Sequence, residues 1–484
     1  MPPSADSLPD SRPPQPQALL GLREAVAITV GLVIGAGIFK APSLVAGMAG
    51  GSGWMFAAWA LGGLMSLVGA LCYAELATAY PHAGGDYHFL RRAWGHSVSF
   101  LFAWARFAVI TTGSIALLGF VFGDYMQQLL PLGPNGPAWW AAAAIAALSW
   151  LNLRGLRSGA AAQTWLTAVE VGGLLLVVGA GLFLLGQGDG AALAPAPSPT
   201  ADATAEGGAA PWSLSGFGLA MVFVLLTYGG WNEAAYISAE VKDRRRNMVR
   251  TLVLSIAVIT ALYLLVVWAY WHGLGLAGMA RAQSIAADLL REAFGPAGGQ
   301  LIAAIVAVAA LTSMNATIIV GARTSFAVGR DWPLLSRLGR WDAARGTPPV
   351  ALALQGAAAL ALVAVGAAAG SGFKAMVEFT APVFWLFFLL TGLALFVLRR
   401  REPHAERPFR VPLYPLLPLL FCATCAYMLW SSLSYVYSQQ LGGFNAAWIG
   451  VGVLLAGALW LPVLRAPAPD NEATPLRRDA HERA

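Results

Sequence analysis

The chain has 484 residues, of which 58% are hydrophobic and 11% charged, with a mean hydropathy of +0.64. Soluble globular domains carry roughly 25% charged residues, so this composition excludes an ordinary soluble fold and predicts a membrane protein. The net charge of +6 comes from short basic clusters between apolar runs, which argues against nucleic acid as a partner.

Residues 1–20 are rich in proline and polar residues and lack the basic start and apolar core of a signal peptide. They predict a disordered cytoplasmic tail. Twelve apolar segments follow, near 22–48, 54–80, 98–129, 138–152, 162–186, 214–239, 248–272, 298–328, 350–370, 376–398, 412–435 and 442–464. The first is long enough to cross a bilayer, which takes roughly 20 residues, yet it spends Gly31, Gly35 and Gly37 at its middle. Backbone that leaves a helix at bilayer depth is tolerated only where it is buried in protein or lines a cavity. The alternative is close helix packing through small residues. The second segment carries Glu75 near its end, predicted to be a loop-side anchor or gate partner. His82 and His88 follow without metal-ligand company. The third and eighth segments are long enough to imply tilt or a break.

The fifth segment places Glu170 in its middle third, among Val and Gly. A carboxylate in the membrane is costly and by default functional. It is a candidate coupling group or cation ligand; a structural pairing with Arg106 or Lys40 is the alternative. Residues 187–211 are Ala/Pro/Gly-rich without Lys or Arg and read as a flexible external loop. The sixth segment repeats the anomaly of the first, with Gly229-Gly230 at its centre and Thr227, Asn232 and Glu233 beside them. Asn315, with Thr312 and Ser313, lies in the eighth, and Lys374 and Glu378 flank the start of the tenth. Residues 466–484 form a charged tail.

Of the 30 Lys and Arg, only Arg281, Arg291 and Lys374 fall in external loops if the N-terminus is cytoplasmic, and Lys40 and Arg106 fall within segments. All others lie in the tails, in the alternate loops or, as Arg23, Arg250 and Arg323 do, at the segment ends next to them. This is the positive-inside pattern, with both termini cytoplasmic. Cys72, Cys422 and Cys425 sit inside apolar segments, so no disulfide-linked accessory subunit is expected. No metal site, cofactor, catalytic cluster or phosphate-binding Gly-x-x-x-x-Gly-Lys-Ser/Thr loop is visible, which argues against an enzyme and against ATP-driven transport. A channel filter is likewise absent.

The two interrupted segments lie five helices apart. Because five is odd, two five-helix units would insert with opposite topology, an inverted repeat with broken helices at matching positions. Freed N–H groups suit a carboxylate and freed carbonyls suit an ammonium. A zwitterionic amino acid supplies both.

GAGIF at 35–39, YAELATAYPHAGGDYHFLRRAWG at 73–95, TYGGWNEAAYISAEVKDRRRNMVR at 227–250, SMNATIIVGARTSFAVGRDWPL at 313–334 and FTAPVFWLFFLLTGLALFVLRRREPHAERPFRVPLYPLLP at 379–418 carry a family likeness. With them the chain resembles bacterial members of the amino acid–polyamine–organocation superfamily, near the L-type amino acid permeases, over roughly residues 20–465. The resemblance implies an all-α membrane fold of twelve transmembrane helices, a 5+5 inverted-repeat core with discontinuous helices 1 and 6, and two further helices. The expected organisation is a first repeat over 21–186, the 187–211 loop, a second repeat over 212–398, and helices 11 and 12 over 399–465. It further implies alternating-access transport of amino acids in the bacterial inner membrane, by a monomer or weak homodimer. Neutral substrates with proton or sodium coupling are expected; exchange or facilitation without an ion, or cationic substrates, are the alternatives. Carried over residue by residue, the carboxylate site is Ile34, Gly35, Ala36, Gly37 and Ile38. The amino-group site adds Thr227, Tyr228, Gly229 and Gly230, with Trp231 and Asn232 alongside. Many members carry a lysine where this chain has Glu170, a departure that puts the lysine mechanism in doubt here.

Overall fold

The computed structural model describes residues 21–81, 85–155, 160–187, 212–232, 241–332, 335–342, 345–368, 370, 372–438 and 446–462. The tails, nearly all of the 187–211 loop, His82, Glu233 and Glu240 lie outside the described residues. The regular structure of the described residues is helical, joined by turns and short links, with an isolated β-bridge between Asp342 and Thr347. In chain order the helices are α1 (Leu22–Val33), α2 (Ala41–Met48), α3 (Ser52–Ala79), α4 (Asp86–Trp94), α5 (His96–Leu129), α6 (Gly136–Leu153) and α7 (Ala160–Gly186). Then come α8 (Leu214–Thr227), α9 (Arg244–Arg281), α10 (Ile285–Asp331), α11 (Pro349–Ala368), α12 (Gly372–Arg401), α13 (Leu416–Ser438) and α14 (Ala446–Trp460).

Among the described residues, eight helices are long and apolar enough to cross a membrane. The first and sixth predicted segments fall short of that length for a physical reason. Each stops in its middle, leaving α1 with 12 residues and α8 with 14. The two longest helices also turn. α9 and α10 pass through left-handed glycines, Gly275 (φ 65°) and Gly295 (φ 72°), and Pro296 follows the second. Inside α5, Arg106–Thr111 form one π-helical turn, a feature often found at functional sites.

Small residues set the packing. Along α3, Gly62, Gly63 and Gly69 have no room for a Cβ: it would run into Val224 of α8, Thr260 of α9, and the rings of Trp231 and Phe421 respectively. Such stripes let helix backbones approach closely where no hydrophobic driving force separates helix from lipid. Buried hydroxyls bond within their own helices, as Thr78 does to Ala74 O, Thr227 to Phe223 O and Thr380 to Met376 O. That is a common solution where water is absent. Leu175, Leu182, Leu301 and Leu419 remain exposed on the outer surface, as a lipid-facing belt requires.

The end of the fold bearing Arg91, Arg92 and Arg399–Arg401 is held by charge. Glu75, 1% exposed, accepts from Arg399 Nε at 2.7 Å and from the Val411 N–H at 2.7 Å. Arg399 also lies over the Tyr414 ring, and Arg92 pairs with Glu402 at 2.8 Å. Glu75 thus anchors the end of α3 to the end of α12 and the chain that follows. Asn315 serves packing: it accepts from Asn152 Nδ2 at 2.7 Å, joining α10 to α6. Lys374 Nζ lies 3.9 Å from Glu378 at the start of α12.

Gly62→Ala is expected to destabilise the fold by about 1–3 kcal/mol through overpacking against Val224. Gly53→Ala, at a position with open space around it, is expected to change stability by less than about 0.5 kcal/mol. Thermal unfolding of the two purified variants compares them directly.

Candidate functional site

The first break starts where α1 ends. Ile34 still donates to Val30 O at 2.8 Å but is extended (ψ 104°), and Gly35 is fully extended (φ −134°, ψ −176°). A 3-10 turn over Ala36–Phe39 follows, and α2 resumes after Lys40. The last carbonyls of α1 lack helical donors and the first N–H groups of the turn lack helical acceptors. The second break starts after Thr227. Gly230 takes φ +107°, a conformation that favours glycine, and Trp231 and Asn232 enter a 3-10 turn.

The two breaks meet. A Cβ on Gly37 would lie 3.4 Å from the Thr227 side chain and 3.7 Å from its Cα. Tyr263, on α9 and fully buried, has its hydroxyl 3.1 Å from Val33 O and 3.3 Å from Thr227 O. The single hydroxyl proton is therefore offered to a freed carbonyl from each broken helix. Tyr228 donates to Trp59 O at 3.0 Å, and the rings of Trp59, Tyr228 and Tyr263 pack 5.1–6.1 Å apart.

A cavity of about 400 Å³ opens beside the junction, within the range of small-molecule sites. Ile34, Gly35, Ala36, Gly37, Thr227, Gly229, Gly230 and Asn232 all line it, as does Glu170. A Cβ on Gly35 would meet only Val33 O, at 4.0 Å, so its backbone faces open space. The other predicted residues stand behind this wall. Ile38 is fully buried; Tyr228 joins the aromatic layer. Trp231 packs edge-on against Tyr73 at 5.2 Å and Phe388 at 5.7 Å, and borders a separate, smaller cavity.

Glu170 is 3% exposed and accepts from Ser313 Oγ at 3.3 Å. Among the described residues it forms no ion pair. Lys40, one of its two expected partners, is instead paired with Asp124 at 2.7 Å. Arg106 lines the same cavity, with Ile110 and Thr111 of the π-helical turn.

The cavity is one-sided. From α5 it takes Phe102 to Leu118 and nothing later; from α10 it takes Ser313 to Gly321 and nothing earlier. It also reaches Asp86 on α4, the helix that carries Arg91 and Arg92. It therefore extends from the breaks toward the basic end of the molecule. Tyr263 and the π-helical turn were not foreseen. A tyrosine in an apolar run reads as packing, and the turn has no Gly or Pro signal before Gly113.

Known proteins resemble this chain in sequence or in overall fold. The b(0,+)-type amino acid transporter 1 of Homo sapiens is 30% identical over 408 residues, 84% of this chain and 80% of its own. The serine/threonine exchanger SteT of Bacillus subtilis (strain 168) is 28% identical over 420 residues, 86% of this chain and 91% of its own. The solved structure of MhsT in complex with L-phenylalanine matches the fold with TM-score 0.56 at 13% identity, over 92% of this chain and all of that one. The family model for amino acid permeases matches residues 20–454, and the chain belongs to that family.

Proposed function

We propose that this protein is a secondary transporter that moves neutral amino acids across the bacterial inner membrane by alternating access. The carrying observation is the junction of two broken helices on one cavity, with Gly35 and Gly37 of one break beside Thr227, Gly229 and Gly230 of the other. The substrate carboxylate binds the N–H groups of the first break, Ile34 to Ile38. The ammonium binds carbonyls of both breaks, with Thr227 and Tyr228 on the second. Gly229, Gly230 and Asn232 border the side chain, and Trp231 supports the wall from behind. The relatives named above are amino acid transporters by their descriptions, in line with this substrate class. Small residues around the breaks and the apolar Phe384, Phe387 and Phe388 on the cavity wall favour neutral side chains.

The reading includes twelve transmembrane helices arranged as two inverted five-helix repeats, 21–186 and 212–398, followed by two more over 399–465. The matched breaks support it, as does the likeness in fold to MhsT. Charge placement supports cytoplasmic termini, which makes the basic end cytoplasmic and the cavity inward-facing. The buried position of Cys72, Cys422 and Cys425 supports a protein that works without a disulfide-linked partner, as a monomer or weak homodimer.

Glu170 is proposed to carry the coupling proton. It is a buried carboxylate on the cavity wall whose hydrogen bond comes from a hydroxyl, and among the described residues no basic group pairs with it. A second reading, exchange without an ion, is favoured by the likeness to a serine/threonine exchanger.

Two experiments in liposomes test these statements. Gly37→Val adds a branched side chain against Thr227 and is expected to cut uptake at least about tenfold, about 1.4 kcal/mol, while the protein still inserts. Unchanged uptake and affinity would remove the first break from the site. Glu170→Gln is expected to keep one-for-one exchange and lose accumulation driven by an imposed pH gradient, because an amide takes up no proton. Normal proton-driven accumulation by this variant would exclude Glu170 from coupling. Absence of gradient-driven accumulation in the parent, with exchange intact, would favour the second reading; a sodium gradient in the same preparation separates the two ions.

A further inference from the structure

We infer that Lys40 and Asp124 form the gate pair that closes the site on the face opposite the cavity, and that this pair opens and recloses in every transport cycle. The inference rests on the transport reading above and adds to it a pair of positioning residues.

Lys40 directly follows the 3-10 turn of the first break, and its own N–H donates to Gly37 O at 3.0 Å. Its ammonium lies 2.7 Å from Asp124 Oδ2, in the last turns of α5, and donates to Gln283 O at 2.6 Å, in the short link between α9 and α10. Both side chains are largely withdrawn from solvent, at 9% and 16% exposure. The neighbouring residues repeat the connection. Tyr125 donates to Phe39 O at 2.7 Å, and its oxygen accepts from the Ala286 N–H at 3.4 Å. Ser284 donates to Asp124 O at 3.3 Å. The first break, the end of α5 and the start of α10 are thus fastened at one point.

That point lies on the half of α5 and α10 that the cavity does not touch. In α5 the cavity ends at Leu118, and in α10 it starts at Ser313. A substrate arriving from the closed face must pass Phe39 and Lys40 to reach Gly35–Gly37. Those two residues can leave its path only by parting from Tyr125 and Asp124. Among the contacts that hold Phe39 and Lys40 to α5, the Lys40–Asp124 pair is the ionic one; beside it, Asp288 pairs with Arg291, which donates to Gln128 of α5 at 2.9 Å. A partly buried ion pair made in one state and absent in the other biases the equilibrium between them, because only differential interactions do so.

The test reads which face is open, independently of transport. Val320 lines the cavity on α10 and is 46% exposed, so a Val320→Cys reporter is labelled with a water-soluble maleimide in purified protein. The parent without the reporter gives the background from the buried native cysteines. Lys40→Met and Asp124→Asn, each combined with the reporter, are expected to slow labelling at least about fivefold, the scale of a typical coupling between states. The double variant is expected to be no slower than the slower single, because both remove one interaction. Lys40→Arg, which keeps the pair, should label within about twofold of the parent. Parent-like labelling of both neutral variants, or additive slowing in the double, would overturn the proposal.

A single neutral variant leaves one buried charge unpaired and can fail to fold. The double replacement Lys40→Cys with Asp124→Cys leaves none, and a short bis-methanethiosulfonate, which forms a disulfide with each cysteine and releases sulfinate, then joins the two positions. Joined protein is expected to lose counterflow of a radiolabelled amino acid and to regain it on reduction; unaltered counterflow with the link in place would overturn the gate. Counterflow by the unmodified parent is measured alongside. Its absence would overturn the transport reading, and the gate with it, whereas its presence with an unaltered linked protein would overturn the gate alone.

Discussion

The hydroxyl of Tyr263 stands between two carbonyls that ordinary helices would not leave free. Val33 ends one helix and Thr227 ends another, both inside the span of the molecule, and the tyrosine oxygen lies 3.1 and 3.3 Å from their carbonyl oxygens. In the bilayer core a helix stops only where protein or a lined cavity supplies partners for such groups, and here the tyrosine supplies one. This contact lets both breaks exist side by side. The cavity, the exposed backbone of Gly35 and the meeting of Gly37 with Thr227 follow from it. The aromatic layer of Trp59, Tyr228 and Tyr263 then excludes water from one side of the junction.

The two ends of the molecule are built differently. At the basic end, Glu75 with Arg399 and the Val411 N–H ties α3 to the end of α12 and to the chain that follows, around a cavity that still reaches Asp86 and Arg106. At the other end, Lys40, Asp124, Tyr125 and Gln283 draw three elements together on the half of α5 and α10 that this cavity does not line. A cavity that reaches one end and a cluster of contacts that fastens the elements toward the other fit one state of the alternating-access cycle proposed above.

Much of this was legible in the sequence because glycine in an apolar run has few uses. GLVIGAGIF and TYGGW break where the structure breaks, and eight of the eleven residues expected at the site line one cavity with Glu170. The side chains of Ile38, Tyr228 and Trp231 pack behind the wall, a direction that spacing does not decide; the expectation for Ile38 and Tyr228 concerns their backbone groups and stands as proposed. Lys40 looked like a partner for Glu170 because both lie in apolar segments; the fold instead brings Asp124 to it. Asp124 had no visible role beforehand, since a single acid near a segment end reads as a boundary residue. Tyr263 was equally silent, because nothing in an apolar stretch marks which hydroxyl will meet a broken helix.

The central claim is that backbone from both breaks recognises the two charges of an amino acid. The most direct measurement is competition in liposome counterflow between a radiolabelled neutral amino acid and three unlabelled compounds: the same amino acid, its amine lacking the carboxylate, and its acid lacking the ammonium. A site built from both breaks predicts strong competition by the amino acid and at least about a hundredfold weaker competition by either half-molecule, since each forfeits charge-assisted hydrogen bonds to a buried site. Equal competition by the amine or by the acid would contradict the account.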